Sequence, residues 1–139
     1  TDRRFEYKGR LNGTIIIDDY AHHPTEITAT LTAVANYPHQ SLWCVFQPHT
    51  FTRTKALFSQ FVEELRAADQ VILAEIFAAR EQNTVGISSA DLAREIPGAI
   101  FCPTLSEVED TLRGMAQPGD LILTVGAGNI YTVGEALLK

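Results

Sequence analysis

The fold is decided by the stretch GTIIIDDYAHHP, residues 13–24. Ile15, Ile16 and Ile17 follow one another without the alternation of a half-exposed strand, so they predict a strand buried on both faces, as in a parallel sheet. Two carboxylates, a phenol and two imidazoles come next, and then Pro24, which favours a first helical turn. A buried strand that ends in a polar loop and then a helix is the basic unit of an α/β fold.

The same alternation continues along the chain. Further strand-length apolar runs are SLWCVFQ (41–47), DQVILAEI (69–76), GAIFCP (98–103) and DLILTVGAG (120–128). Segments with helical spacing lie between them. The first predicted helix begins after Pro24, with Ile27, Leu31 and Val34 on one face, and the second begins after Thr52, with an apolar stripe of Leu57, Phe58, Phe61, Val62 and Leu65. A third helix is predicted from near Ser89 to about Ile96, and a fourth after a Thr104–Glu107 capping box. The last is predicted from about Ile130 to Leu138.

The first twenty residues follow a different pattern. RRFEYKGRLNGTIIIDDY, residues 3–20, predicts two strands joined by a turn at Asn12-Gly13. The predicted order is therefore β-β-α-β-α-β-α-β-α-β-α. This order indicates a Rossmann-like, doubly wound, mostly parallel sheet with helices on both faces and an N-terminal β-hairpin, in a single domain of residues 1–139.

Composition and charge exclude several classes of protein. The chain has 139 residues and a net charge of -6, which disfavours a nucleic-acid surface. No apolar run approaches the roughly 20 residues of a membrane span, and we expect no membrane association. The first residues show no signal peptide, and Cys44 and Cys102 lack metal-type spacing, so we expect a cytoplasmic protein. The chain begins with Thr1, which indicates a piece of a longer protein.

Polar clusters follow four of the predicted strands. They are DDYAHHP (18–24), QPHTFTRTK (47–55), IFAARE (76–81) and GAGN (126–129). Ligands of open α/β sheets bind beyond the carboxyl ends of the strands. Any one of these clusters taken alone is more typical of a solvated loop. Together they predict a single functional rim.

The residues leave the chemistry of this rim open. A metal site using Asp18, Asp19, His22 or His23 is a minor alternative, because metal-type spacings are otherwise absent from the sequence. There is no nucleophile elbow and no P-loop, and GAGN is an incomplete dinucleotide fingerprint. The histidines are more typical of hydrogen-bonding or positioning groups, since no partner nucleophile stands out. An Asp or Glu at a strand end could bind ribose hydroxyls, and an Arg could stabilise a transferring phosphate.

Each residue also has a structural interpretation. Asp18 could cap a helix or pair with Arg3, and His23 could simply bond to backbone. Arg80 and Glu81 could form a surface ion pair of little energetic value. His39, next to Pro38, is expected at the surface.

Four stretches carry a resemblance to a known family. RRFEYKG (3–9), DDYAHHPTEI (18–27), FQPHTFTRTK (46–55) and GAGNI (126–130), in this order and spacing, resemble the C-terminal domain of the Mur ligases, over essentially the whole chain. The resemblance implies the third domain of a three-domain ligase whose UDP-sugar domain and P-loop ATPase domain are absent from this chain.

The activity that the resemblance implies belongs to the complete enzyme. ATP, with Mg²⁺, would phosphorylate the carboxylate of UDP-N-acetylmuramate. The amine of L-alanine would attack the acyl phosphate, giving an amide, ADP and phosphate in peptidoglycan precursor synthesis. The domain alone is expected to be inactive, and its partners would be these three substrates, with ATP and Mg²⁺ bound mainly by the central domain.

The resemblance also implies site residues. Arg4 would contact ATP phosphate, Asp19 the ribose, and Tyr20 the adenosine end. His22, His49 and Arg53 would face the alanine and the reacting carboxylate, and no metal ligand is expected in this chain. The sequence departs from the family pattern where Thr50 replaces a basic residue of some relatives and Asn129 replaces a common aspartate, so those two roles do not transfer.

Other functions remain as alternatives. One is a related ligase that attaches a tripeptide to the same sugar nucleotide during recycling, although FQPHTFTRT favours the alanine enzyme. Another is a nucleotide-binding module without chemistry. A third is a metallohydrolase that uses Asp18, Asp19 and His22.

Overall fold

The computed structural model describes residues 5–139. Strands and helices alternate along this part of the chain after an initial pair of strands. Their order is β1 (Glu6–Leu11), β2 (Thr14–Asp19), α1 (Pro24–Val34), β3 (Leu42–Phe46), α2 (Phe51–Ala56), α3 (Phe58–Leu65), β4 (Gln70–Ala74), α4 (Ser89–Glu95), β5 (Ile100–Cys102), α5 (Leu105–Met115), β6 (Leu121–Val125) and α6 (Tyr131–Leu137).

The strands form one sheet of order β1-β2-β6-β3-β4-β5. β1 pairs antiparallel with β2, and the other pairings are parallel. Asn12 and Gly13 join β1 to β2 with φ values of 51° and 85°. Two successive residues of positive φ match the twist of a tight hairpin, and a glycine adopts this conformation without a Cβ clash. The predicted hairpin and mostly parallel sheet are confirmed.

Helices cover both faces of the sheet, which explains the uninterrupted apolar strands. Ile15 and Ile17 pack in one cluster with residues of α1, α3 and α4, whereas Ile16 packs in a second cluster with residues of α5 and α6. Successive side chains of a strand point to opposite faces, so a strand covered on both sides must be apolar throughout. The doubly wound architecture predicted from these runs is confirmed.

The helix predicted after Thr52 is wrong in one respect. The apolar stripe is correct, since Phe61 and Leu65 are buried. However, the backbone breaks at Leu57, with φ -109° and ψ 19°, and two short helices replace one. The spacing of buried side chains does not report such a break, because the apolar positions of α3 continue the pattern after Leu57.

The start of α5 also differs slightly from prediction. The Thr104 hydroxyl accepts a bond of 3.2 Å from the Glu107 N–H, as a helix cap does. The Glu107 carboxylate accepts from the Thr104 hydroxyl at 3.0 Å, rather than from backbone, so the expected reciprocal box is half formed. Among the described residues, none of the helices is long and apolar enough to cross a membrane. Cys44 and Cys102 are buried free thiols, and burial raises the pKa of Cys44 to about 12.

Candidate functional site

The polar loops meet because the sheet aligns their strands. Asp19, Val125 and Phe46, the last residues of β2, β6 and β3, are register partners in the sheet. Phe46 pairs in turn with Leu73 of β4. The loops that follow these strands therefore leave the sheet at one level. This is the single rim that the polar clusters predicted.

A row of aromatic rings runs along the rim. The ring centroid of His22 lies 5.7 Å from that of Tyr20, edge to face, and 5.9 Å from that of His49. His49 stacks on Phe77 with centroids 5.7 Å apart. Arg53, one helical turn beyond His49, places Nη1 3.3 Å from His49 Nδ1. Two imidazoles and one guanidinium thus share one surface with the ring of Tyr20.

The contact with Arg53 sets the protonation of His49. A guanidinium only donates, so His49 Nδ1 accepts and the ring proton resides on Nε2. The pKa of His49 is lowered from 6.5, first by partial burial and then by the positive charges of Arg53 and His22, while Glu81 acts in the opposite direction. Neutral His49 therefore presents a donor, Nε2–H, at neutral pH.

His22 is held by a different nitrogen. Its Nδ1 lies 3.2 Å from the carbonyl oxygen of Tyr20, and a carbonyl only accepts, so Nδ1 carries a proton. Glu26 Oε1, at 3.7 Å from this nitrogen, also accepts from the backbone N–H of His22 at 3.1 Å. The two imidazoles of the rim therefore lie side by side, with centroids 5.9 Å apart, and use their Nδ1 atoms differently.

Asp19 lies beneath this surface. It is 2% exposed, and its two carboxylate oxygens accept bonds from the Ala21 N–H at 2.9 Å and the Thr30 hydroxyl at 2.7 Å. These bonds fix the path of the loop that carries Tyr20 and His22. In the described conformation the Asp19 carboxylate organises the loop from below.

Asp18 points to the other side of the sheet, where it accepts a bond of 2.6 Å from the Thr124 hydroxyl. Adjacent strand residues diverge, so Asp18 and Asp19 do not face one ion together. Within residues 5–139, no group of three or more His, Cys, Asp or Glu side chains is arranged to hold a metal.

The turn that carries His49 and Arg53 is held from outside. Thr50, before α2, has φ 67° and ψ 149°, a region that costs a β-branched residue about 1–3 kcal/mol. Its N–H donates to the Phe77 carbonyl at 2.9 Å, and its side chain does not cap the helix. Glu81 caps the helix instead, accepting from the backbone N–H groups of Phe51 at 2.7 Å and Thr52 at 3.1 Å.

The GAGN loop is fixed by a buried amide. Gln47 Oε1 accepts from the N–H groups of Asn129 at 3.0 Å and Ile130 at 3.1 Å, and its Nε2 donates to Asn129 Oδ1 at 2.7 Å. A Cβ at Gly128 would lie 2.5 Å from the Phe77 ring and 2.6 Å from Gln47 Oε1. Close packing thus requires glycine here. Asn129 keeps a structural bond in place of the charge that an aspartate would bring.

The predicted site residues separate into groups. The structure brings Tyr20, His22, His49 and Arg53 together, and it buries Asp19 next to them. Arg4, predicted to contact ATP phosphate, lies outside the described residues, as does Arg3.

Of the structural alternatives, His23 does cap α1, accepting from the Thr25 N–H at 3.3 Å. The Arg80–Glu81 ion pair is wrong, because Glu81 turns to the start of α2 instead. Sequence reasoning missed the supporting roles of Gln47, Phe77 and Glu81. Each lies in one of the polar clusters that follow a strand, but the residue that it contacts is far away along the chain.

Comparisons with known proteins identify the family of the chain. The family model "Mur ligase, glutamate ligase domain" matches residues 3–128. UDP-N-acetylmuramate–L-alanine ligases from Lachnospira eligens and Agathobacter rectalis are 53% and 55% identical to the chain over 100% and 99% of its length. The chain spans 31% of the length of each of these relatives.

Solved structures show the same fold. The UDP-N-acetylmuramate-alanine ligase of Thermotoga maritima superimposes with a TM-score of 0.76 at 25% identity, covering 99% of this chain and 29% of that one. A single domain from a Haemophilus ducreyi protein, assigned as a UDP-N-acetylmuramate ligase for a diaminopimelate-containing peptide, gives a TM-score of 0.74 at 27% identity and covers 97% of both chains. The match over residues 3–128 shows that this chain belongs to the Mur ligase family, as its C-terminal, glutamate ligase domain.

Proposed function

We propose that this chain is the C-terminal domain of an ATP-dependent UDP-N-acetylmuramate–L-alanine ligase of peptidoglycan precursor synthesis. The observation that carries the proposal is the row Tyr20, His22, His49 and Arg53 on one rim, in a chain 53% identical along its whole length to a ligase of that name. Because the chain spans 31% of that relative, catalysis belongs to a longer protein, and the isolated domain is inactive.

The proposed chemistry is amide formation through an acyl phosphate. The guanidinium of Arg53 has the geometry to hold the carboxylate of L-alanine by paired hydrogen bonds. The Nε2–H of neutral His49 is suited to donate to an oxygen of the reacting carboxylate as charge develops there. The second ring nitrogen of His22, Nε2, is proposed to orient the amine of alanine toward that carbon.

The nucleotide side of the site rests on three residues. Tyr20, at the end of the aromatic row, is proposed to contact the adenosine end of ATP. Asp19 is proposed to reach the ribose, which requires the loop that covers it to move, because Asp19 is 2% exposed. Arg4 is proposed to contact phosphate, and this role stays a prediction.

The ATP phosphates and Mg²⁺ are proposed to be held mainly by other parts of the complete enzyme. Mg²⁺ is usually bound by one or two carboxylates together with substrate phosphates, so its site is expected where the phosphates lie. A cytoplasmic location follows from the same proposal, since the substrates are nucleotides.

A ligation assay on the full enzyme tests the proposal. Purified enzyme, UDP-N-acetylmuramate, ATP and Mg²⁺ are incubated with L-alanine, glycine, L-serine or the L-alanyl-γ-D-glutamyl-diaminopimelate tripeptide, and ADP release and product mass are followed. We expect L-alanine to give the highest kcat/KM. Preference for the tripeptide would assign the recycling ligase instead, and ATP binding without any ligation would indicate a binding module.

A further inference from the structure

Glu81 is the least expected participant at the rim. It lies in the loop after β4, 30 residues from Phe51 in the sequence, yet its carboxylate reaches the first turn of α2. Oε1 accepts from two backbone N–H groups, those of Phe51 and Thr52, and Oε2 accepts from the Thr52 hydroxyl at 2.5 Å. A single side chain therefore satisfies the start of a helix on which Arg53 stands.

The turn needs such a partner because it has little support of its own. Thr50 precedes α2 in a strained conformation and offers no side-chain cap. The first N–H groups of a helix have no partner inside the helix, so an external acceptor stabilises the start. α2 has only 6 residues, less than two turns, and ends at a break at Leu57, so it gains little from its own hydrogen bonds.

The charge of Glu81 also reaches the functional groups. The hydrogen bond from Thr52 is the largest cause that lowers the pKa of Glu81, followed by backbone bonds from Thr52 and Phe51 and by the charge of Arg53, so the carboxylate is ionised at neutral pH. Glu81 in turn raises the pKa of His49, against the larger lowering by burial, Arg53 and His22. One carboxylate is therefore coupled to both side chains of the turn.

We propose that Glu81 is a positioning residue for amide formation: by capping α2 from the β4–α4 loop, it holds His49 and Arg53 in register with His22. Glu81 acts through these groups and does not itself touch substrate. The inference rests on the proposed function. The inference adds a connection between the segments that follow β3 and β4. A shift of the β4–α4 loop would therefore move His49 and Arg53.

The test uses Glu81→Gln, which keeps an acceptor oxygen and removes the charge. The matched control is Glu107→Gln, which makes the same change at the Thr104 cap of α5. This helix follows β5, the strand at the edge of the sheet. In the full ligase we expect Glu81→Gln to lower kcat/KM for L-alanine by about 10- to 100-fold, with KM for ATP little changed. Glu107→Gln should leave both unchanged. Thr52→Ala, which removes one of the three bonds, should give a smaller loss in the same direction.

A second measurement on this domain is independent of ligation. In Glu81→Gln, NMR should show faster hydrogen exchange at the Phe51 and Thr52 amides and a lower midpoint for the His49 imidazole, because a nearby negative charge has gone. Unchanged amides, unchanged His49 titration and wild-type kinetics would overturn the proposal. Altered NMR signals with wild-type alanine kinetics would also overturn it, leaving Glu81 a helix cap only. If the wild-type enzyme does not ligate L-alanine, the proposed function fails, and the NMR result alone then decides whether Glu81 holds the turn.

Discussion

Two loops of the rim are built in opposite ways. The β2–α1 loop, residues 20–23, is stabilised by nearby residues: Asp19 accepts from Ala21 and Thr30, and Glu26 accepts from the N–H groups of His22 and His23. The β3–α2 turn, residues 47–50, depends on residues far away in sequence.

The β3–α2 turn depends on Phe77 for the N–H of Thr50 and, through the start of α2, on Glu81. The comparison shows that the positions of His22 and His49 depend on different parts of the chain. His22 is placed by its own segment, whereas His49 is placed by the β4–α4 loop. Damage to that loop should therefore move His49 and Arg53 while leaving His22 in place.

Loss of Arg53, which lies in α2 directly after the β3–α2 turn, should have the largest effect on catalysis. Arg53→Ala removes the proposed partner of the alanine carboxylate, and we expect kcat/KM for L-alanine to fall by about 100- to 1,000-fold with ATP use much less affected. Lys55→Ala is the control, since Lys55 is an exposed cation on the same helix whose ammonium contacts the Val85 carbonyl at 3.5 Å. Steady-state kinetics with each substrate varied would measure both. Equal losses for the two variants would mean that only general charge matters.

Asp19→Ala should have the next largest effect, on the locally built loop. It leaves the Ala21 N–H and the Thr30 hydroxyl without their acceptor, and at about 1–3 kcal/mol for each unsatisfied group we expect a free energy of unfolding lower by about 3 kcal/mol. If Asp19 also binds ribose, KM for ATP rises in addition. Thr30→Val separates the two roles, because it removes one bond and keeps the carboxylate. A raised KM for ATP in both variants would assign the effect to loop geometry alone.

Gly128→Ala should disturb the long-range turn through packing. The added Cβ would meet Phe77, on which His49 stacks, and the amide of Gln47. Overpacking of this kind destabilises by about 2 kcal/mol. Gly114→Ala is the matched control, since no atom lies within 4 Å of a Cβ there and Gly114 lies in α5. That control should stabilise by about 0.5–1 kcal/mol. Urea denaturation of the domain gives both values, and two losses of equal size would contradict the packing argument.

The smallest effect is on the titration of His49. Its pKa in the folded domain should lie below 6.5, and Arg53→Ala should raise it, because a nearby positive charge is removed. Since the folded pKa is lower than the unfolded one, the contribution of neutral His49 to stability is complete above about pH 6.5 and is lost as pH falls through the folded pKa. NMR titration of the imidazole measures this. A wild-type midpoint above 6.5 would mean that the Arg53–His49 contact is not formed in solution.

The sequence by itself determined the order of strands and helices and the face pattern of the core. The run Ile15–Ile17 specifies a strand buried on both sides, because side-chain direction alternates along every strand. It also determined the local caps, such as Pro24 at the first helical position and His23 before it, because a cap involves residues only a few positions apart. The same locality explains why the β2–α1 loop follows its own sequence.

Only the tertiary structure decided the rest. The strained Thr50 and the turn of Glu81 away from Arg80 depend on contacts across about 30 residues of chain. A hydrogen bond between distant segments produces no repeating pattern in the sequence. From the sequence alone, a carboxylate that caps a distant helix cannot be told from any other carboxylate in a polar loop. The sequence thus predicted that His49 and Arg53 belong to one site. Their orientation was fixed by how the sheet brings the third and fourth strand ends together.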